Sequence, residues 1–278
     1  MTNQQNLDAK VVRGFGDEWQ RFDQSGAGDG ELAKIVAQYF HGLPIETLPR
    51  DAIGADIGCG SGRWARFVAP QVHTLHCVDA SDGALSVARR NLVGAANVQF
   101  HHASVDALPF ADGSLDFAYS LGVLHHVPDT RAAIAACVRK LKPGAPFLVY
   151  LYYRFDNRPA WFPWLWRTSE LARFVVSRSP APVRNAAAEV LATTVYWPMA
   201  RAARLLERAG RDVQHMPLSW YRDQSFYVMR NDALDRFGTR LEQRFTREEV
   251  VSMLEAAGVE RVQTWGPPYW CAVGHKAR

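Results

Sequence analysis

Residues 56–62 read Asp56-Ile57-Gly58-Cys59-Gly60-Ser61-Gly62 and follow a short run at 52–55. Alternate glycines let the backbone turn tightly and come close to a ligand that a Cβ would obstruct. A dinucleotide fold uses the same device, so the glycines alone do not discriminate. Asp56 does. It stands at the end of a strand, two residues before the first glycine, where a diphosphate would meet a repelling carboxylate. A ligand with an ammonium or sulfonium would be attracted instead.

Working outward, strands and helices alternate. Strands are predicted at 52–57, 73–79, 98–103, 115–120 and 145–152, with helices near 63–69, from Ser81 to Leu92 and over 130–141. Ser81 is a helix N-cap, and Lys142-Pro143-Gly144 closes the last of these helices. Strands separated by helices argue for a parallel sheet with right-handed crossovers. Upstream, 31–40 has helical spacing, and Phe15, Trp19 and Phe22 mark an N-terminal segment that packs as a cap. After 153 the rhythm breaks. Residues 154–245 hold five tryptophans and fifteen arginines against nine acidic residues, in mostly helical pieces punctuated by proline. The sheet resumes after a capping box at Thr246 and Glu249, with strands at 259–265 and 269–274 joined by Gly266-Pro267-Pro268.

Two more carboxylates fall at strand ends. Asp79 closes the second strand, where an Asp can accept both hydroxyls of a ribose. Asp106 follows the third strand, within Val105-Asp106-Ala107-Leu108-Pro109-Phe110, where it can accept from an exocyclic amine. With Asp116 at the approach to the fourth strand, these positions resemble the class I, Rossmann-like S-adenosylmethionine-dependent methyltransferases. The resemblance is to the small-molecule branch, near the quinone and sterol C-methyltransferases, and it covers 50–153 and 246–275. It implies an α/β fold with a seven-stranded, mostly parallel sheet flanked by helices, the last strand antiparallel. The domains would be an N-terminal helical cap at 1–49, a cofactor-binding core at 50–153 and 246–278, and a helical substrate-binding cap inserted at 154–245. S-adenosyl-L-methionine would be the cofactor and S-adenosyl-L-homocysteine the product. Asp56 would lie near the methionine amino group, with Gly58, Cys59, Gly60 and Gly62 beneath the cofactor. Asp79, Ala80 and Ser81 would meet the ribose, Asp106 and Ala107 the adenine, and Leu121 would flank the ligand. Asp116 reads as structural.

The acceptor side is less defined. The segment 119–127 contains His125 and His126 at the end of the fourth strand, where open α/β sheets bind ligands. Either histidine could face the acceptor, or one could pack against the next helix. A histidine base suits a hydroxyl acceptor near neutral pH. Tyr152, Arg222 and Tyr227 complete the candidate catalytic set, as groups that orient an oxygen or stabilise an enolate or phenolate. The fourth strand is not followed by Asn-Pro-Pro-Tyr or Asp-Pro-Pro-Tyr, unlike the methyltransferases of adenine or glutamine amino groups. Transfer to an oxygen or carbon of a small molecule is therefore favoured over transfer to nitrogen.

Other classes are disfavoured. The net charge is +4, but the arginines are scattered rather than clustered, which argues against nucleic acid as a partner. The four cysteines are far apart, so no metal is expected. No hydrolase elbow or phosphate loop is present. No apolar stretch is long enough for a transmembrane helix, and a reducing cytoplasm is the expected location. A monomer and a homodimer fit equally. The alternatives kept are a cofactor-binding regulatory protein without turnover and an NAD-dependent oxidoreductase. The aromatic run 161–166 is expected to pack in a core, with an acceptor pocket and a lipid-facing patch as the lesser readings.

Overall fold

The computed structural model describes residues 6–155, 158–266 and 270–278. Its helices are α1 (Ala9–Arg21), α2 (Asp29–Tyr39), α3 (Ala65–Val68), α4 (Asp82–Asn91), α5 (Thr130–Lys140), α6 (Trp161–Val176), α7 (Ala181–Leu191), α8 (Trp197–Arg208), α9 (Phe226–Gly238) and α10 (Arg247–Ala256). Its strands are β1 (Ile53–Ile57), β2 (Thr74–Asp79), β3 (Val98–His102), β4 (Phe117–Leu121), β5 (Pro146–Leu151), β6 (Val259–Trp265) and β7 (Trp270–Lys276). They form one sheet in the order β3-β2-β1-β4-β5-β7-β6. The first five strands pair in parallel, and β7 runs antiparallel between β5 and β6. This is the mostly parallel, seven-stranded Rossmann-like sheet expected from the sequence, with a helical insertion after the fifth strand.

Local signals account for most boundaries. Ser81 caps α4 by accepting from the Ala84 N–H, and Asp129 caps α5 in the same way. Thr246 and Glu249 close the expected capping box on α10. The helix expected at 63–69 shortens to α3. Pro70 ends it, and a 3-10 turn follows at Ala69–Gln71. The Gly-Pro-Pro link between the last two strands lies mainly outside the described residues.

Two compact units make up the chain. The first comprises Met1–Gln24, Leu32–Asp156 and Leu241–Arg278. Its core runs from Ala55 and Ile57 of β1 through Phe147, Val149 and Leu151 of β5 to Val250, Met253 and Leu254 of α10. Central parallel strands are buried on both faces and so need apolar residues throughout. The second unit comprises Ser25–Glu31 and Asn157–Arg240. It has its own small core, in which Tyr196 and Ala200 meet Met229, Ala233 and Phe237. Among the described residues, no helix is long and apolar enough to cross a membrane.

The aromatic run 161–166 departs from expectation. Trp161 and Trp164 are exposed rather than packed in a core. Residue type gives an apolar side chain a tendency to be buried, but it does not supply a partner.

Asp116 has the structural role read from its sequence position. Its carboxylate accepts from the Ile53 N–H at 2.9 Å and from Lys142 Nζ at 2.6 Å, fastening the start of β1 to the approach to β4. Asp116→Ala is expected to lower folding stability by about 1–2 kcal/mol in chemical denaturation. Cofactor affinity of the folded variant should be unchanged in calorimetry. A loss of affinity without a loss of stability would show that Asp116 belongs to the site.

Candidate active site

β1 is buried along most of its length, and Asp56 is the one charged residue in it. A buried carboxylate without a partner is costly. Neither oxygen of Asp56 makes a well-aligned hydrogen bond, and neither does the buried hydroxyl of Tyr119, although the hydroxyl lies close enough to the carboxyl to favour its charged form. Tyr119 is the register partner of Asp56 across the β1–β4 pair, so the two side chains share a face. Burial pushes the Asp56 carboxyl up to about 8; nearby Tyr119 and Arg63 offset part of the rise, and Asp79 adds to it. Burial also holds the Tyr119 phenol well above its usual range, so it stays a neutral donor. Such a pair would suit an incoming cation. When Asp56 ionises, Tyr119 can donate to one oxygen, and the other remains for the ligand.

The loop after β1 is shaped by glycine and tied to β2. Gly58, Gly60 and Gly62 all have positive φ, a region open to glycine at little cost. A Cβ on Gly58 would collide with Val123, and one on Gly60 would stand 2.8 Å from the Trp19 indole. The Gly58 and Cys59 N–H groups donate to the Val78 carbonyl. Cys77 and burial keep the Cys59 thiol well above its usual range, hence protonated. Asp79 closes the cradle: one oxygen accepts from Gly60 N at 2.9 Å and the other from Ser81 N at 2.8 Å. A carboxylate has about four acceptor positions. The Ala80 N–H also reaches this carboxylate, which leaves only part of its acceptor capacity for a ribose diol. Ala80 follows, its carbonyl engaged by His102 Nε2 at 2.9 Å. Asp106 and Ala107 are exposed in the 3-10 turn after β3, and Asp106 accepts from Asn6 N at 3.3 Å. Leu121 is buried at the end of β4.

Across the carboxyl ends of β4 and β5 lies a run of rings. His125 is fully buried, neither ring nitrogen has a hydrogen-bond partner, and the ring stacks on Tyr152 at 3.9 Å between centroids. His126 packs between His125 and Phe15, and its Nδ1 bonds the Leu241 carbonyl at 2.7 Å. Tyr150 links Tyr152 to Tyr39, Tyr39 meets Trp64, and the Arg63 guanidinium lies over both Trp64 and Trp19. One wall of rings thus joins the histidines to the Gly60 loop. Burial, followed by the neighbouring His126 and Arg244, pulls the His125 imidazole well below its usual range, so it is neutral at pH 7.

The structure brings Asp56, the glycine loop and Asp79 together, and it brings His125, His126 and Tyr152 together. Arg222 and Tyr227 belong to the second unit. There Arg222 donates to Glu207 at 2.8 Å and to the Ser219 carbonyl, while Tyr227 packs against Gly26. Sequence reasoning missed Tyr119, Arg244 and Gln243. Arg244 is paired with buried Glu242 at 2.7 Å and lies over Tyr152. Gln243 donates to the Val127 carbonyl at 2.6 Å and pins the histidine loop. The alternation of β4 carries a signal for Tyr119, two residues after Phe117 on the same face. Gln243 lies 116 residues from the Val127 carbonyl it holds and Arg244 lies 91 from the Tyr153 carbonyl it holds, so neither carries a local signal.

Residues 55–149 match the methyltransferase domain family. Curated relatives include the ubiquinone biosynthesis O-methyltransferase of Hahella chejuensis, 35% identical over 161 residues, or 57% of this chain and 66% of that protein. Phosphoethanolamine N-methyltransferase 2 of Caenorhabditis elegans is 32% identical over 132 residues, or 46% of this chain and only 29% of that protein. Among solved structures, the 1,6-didemethyltoxoflavin-N1-methyltransferase of Burkholderia thailandensis superposes with a TM-score of 0.53 at 17% identity, covering 97% of this chain and 88% of that one. That likeness concerns the fold. The chain carries a class I, Rossmann-like S-adenosylmethionine-dependent methyltransferase domain that resembles small-molecule O-methyltransferases. Its residues fit the cofactor: Asp56 is a buried carboxylate that would suit the ammonium end, and Asp79 stands at a strand end where a carboxylate would suit the ribose.

Two predictions follow from Asp56 and Asp79. Between the ordinary carboxyl range and pH 8, the folded protein holds a proton on Asp56 that the unfolded chain has released, so free-protein stability falls as pH rises. Asp56→Asn should flatten that slope in denaturant titrations from pH 5 to about 8, and an unchanged slope would contradict it. Asp79→Ala should weaken cofactor binding by about 1.5–3 kcal/mol in calorimetry. Equal affinity in the folded variant would remove its ribose role.

Proposed function

We propose that this protein transfers a methyl group from S-adenosylmethionine to an oxygen of a small, hydroxylated ring compound. His125 carries the reading. A fully buried imidazole with two unpartnered nitrogens costs stability, and a structure that keeps one has a use for it. Neutral at pH 7, it can accept the proton that a ring hydroxyl loses as it becomes a nucleophile. The bound cofactor supplies an electrophilic methyl on a positively charged sulfur.

The chain's own residues do the rest. Tyr152, stacked on His125, holds the imidazole plane. The Arg244 guanidinium over the Tyr152 ring favours negative charge nearby and disfavours a second positive charge on His125. Proton acceptance is thereby coupled to formation of an oxyanion rather than to protonation from bulk water. The wall of Tyr39, Tyr150 and Tyr152 suits a flat acceptor and excludes water, which would compete for the methyl group. Alignment of acceptor, methyl and sulfur accounts for much of such a reaction. The names of several curated relatives specify an O-methylation in ubiquinone biosynthesis, which supports an oxygen acceptor.

The test is turnover of methyl-labelled donor against a panel of catechols, hydroquinones and phenols. His125→Ala should lower kcat/KM by about 10²–10⁴, with cofactor affinity retained. The acid limb of the wild-type kcat/KM profile should fall below the ordinary imidazole range, because burial lowers that pKa. Unchanged kcat/KM in His125→Ala would overturn the base, and labelling of amines alone would overturn the oxygen acceptor.

A further inference from the structure

In the second unit, α6 has no buried residue along its length. Its exposed positions are Trp161, Trp164, Leu165, Arg167, Thr168, Leu171, Ala172, Phe174 and Val175. Apart from Phe174 and Arg167 at one edge, they follow the i, i+3, i+4, i+7 spacing of a single helical face. Trp164 is 68% exposed and Leu171 71%. α7 continues the pattern with exposed Val183 and Val190, and both helices pack against α9. Large apolar patches of this kind are uncommon on soluble monomers and mark interaction sites.

The charges identify the partner. All residues from 161 to 206 are described, and they include two carboxylates, Glu170 and Glu189. Neither is exposed. Glu170 is paired with Arg173 and Arg236, and Glu189 with Arg230. The exposed charges on and just beyond α6 are Arg167, over the Trp164 ring, and Arg178, over the Phe174 ring. A second copy docked face to face would set these guanidinium groups against one another with no exposed acid on α6 or α7 to compensate. A layer of lipid phosphates would pair with them, while Trp and Phe settle at headgroup level. Sixteen residues fall short of the roughly 20 that a spanning helix needs.

We propose that the exposed face of α6, extended by α7, docks in the plane of an anionic lipid bilayer. The proposal is independent of which acceptor the protein methylates.

Vesicle sedimentation with the full-length chain tests it, using phosphatidylcholine alone or mixed equally with phosphatidylglycerol. The protein should sediment with mixed vesicles and bind about tenfold less to phosphatidylcholine alone, or when salt is raised to about 0.5 M. Trp164→Glu combined with Leu171→Glu should lower partition about tenfold or more. Both sites are exposed, so thermal melting and calorimetric affinity for S-adenosylhomocysteine should be unchanged. Arg167→Glu with Arg178→Glu, which keeps the apolar stripe, should abolish the preference for anionic vesicles. No sedimentation with mixed vesicles would overturn the proposal, as would equal partition of both double variants. So would light scattering that shows a dimer split by the Trp164→Glu, Leu171→Glu pair.

Discussion

The cofactor side of this protein depends on an unfavourable placement, a carboxylate inside the central strand of a parallel sheet. Asp56 occupies a position where the fold would prefer Val or Ile, and burial pushes its pKa to about 8. The surrounding sheet has enough apolar contact to hold it there. A bound cation would offset that cost, because it would favour the ionised form of Asp56, which the Tyr119 hydroxyl also favours.

The glycine loop and the ring wall are consequences of where β1 and β4 sit. Both strands end at the same edge of the sheet, at the point where strand order reverses on either side of β1, and open α/β sheets bind ligands there. The Val78 carbonyl and Asp79 at the end of β2 fix the loop, while Trp19 and Val123 close over it from α1 and from the residues after β4. Loop position, ribose acceptor and histidine orientation are therefore not independent. Gln243 and Arg244, beyond the insertion, brace the histidine loop and Tyr152, so the last part of the chain helps shape the acceptor side.

Much of this was legible in the sequence where the signal is local. The order of strands and helices came from periodicity, Ser81 and Thr246 from capping chemistry, and Asp56, Asp79 and the glycines from their spacing around a strand end. Asp116 was read as structural and proved to be a clamp on Ile53 and Lys142. Long-range pairings were not legible. Tyr119 faces Asp56 only because β1 and β4 align in one register, and Trp19 covers Gly60 across some forty residues. The exposed tryptophans of α6 fall in the same class: their apolar character suggested a core, whereas their surroundings left them at the surface.

The most direct test of the central claim is a count of protons on cofactor binding. Near pH 7 the free protein holds a proton on Asp56, and binding of the cationic cofactor should expel it. Calorimetric titration with S-adenosylmethionine in buffers of different ionisation enthalpy measures this exchange. Release of about one proton per cofactor is the expected result, with the release lost in Asp56→Asn. Tight binding with no proton release, or the same release from wild type and Asp56→Asn, would contradict the account.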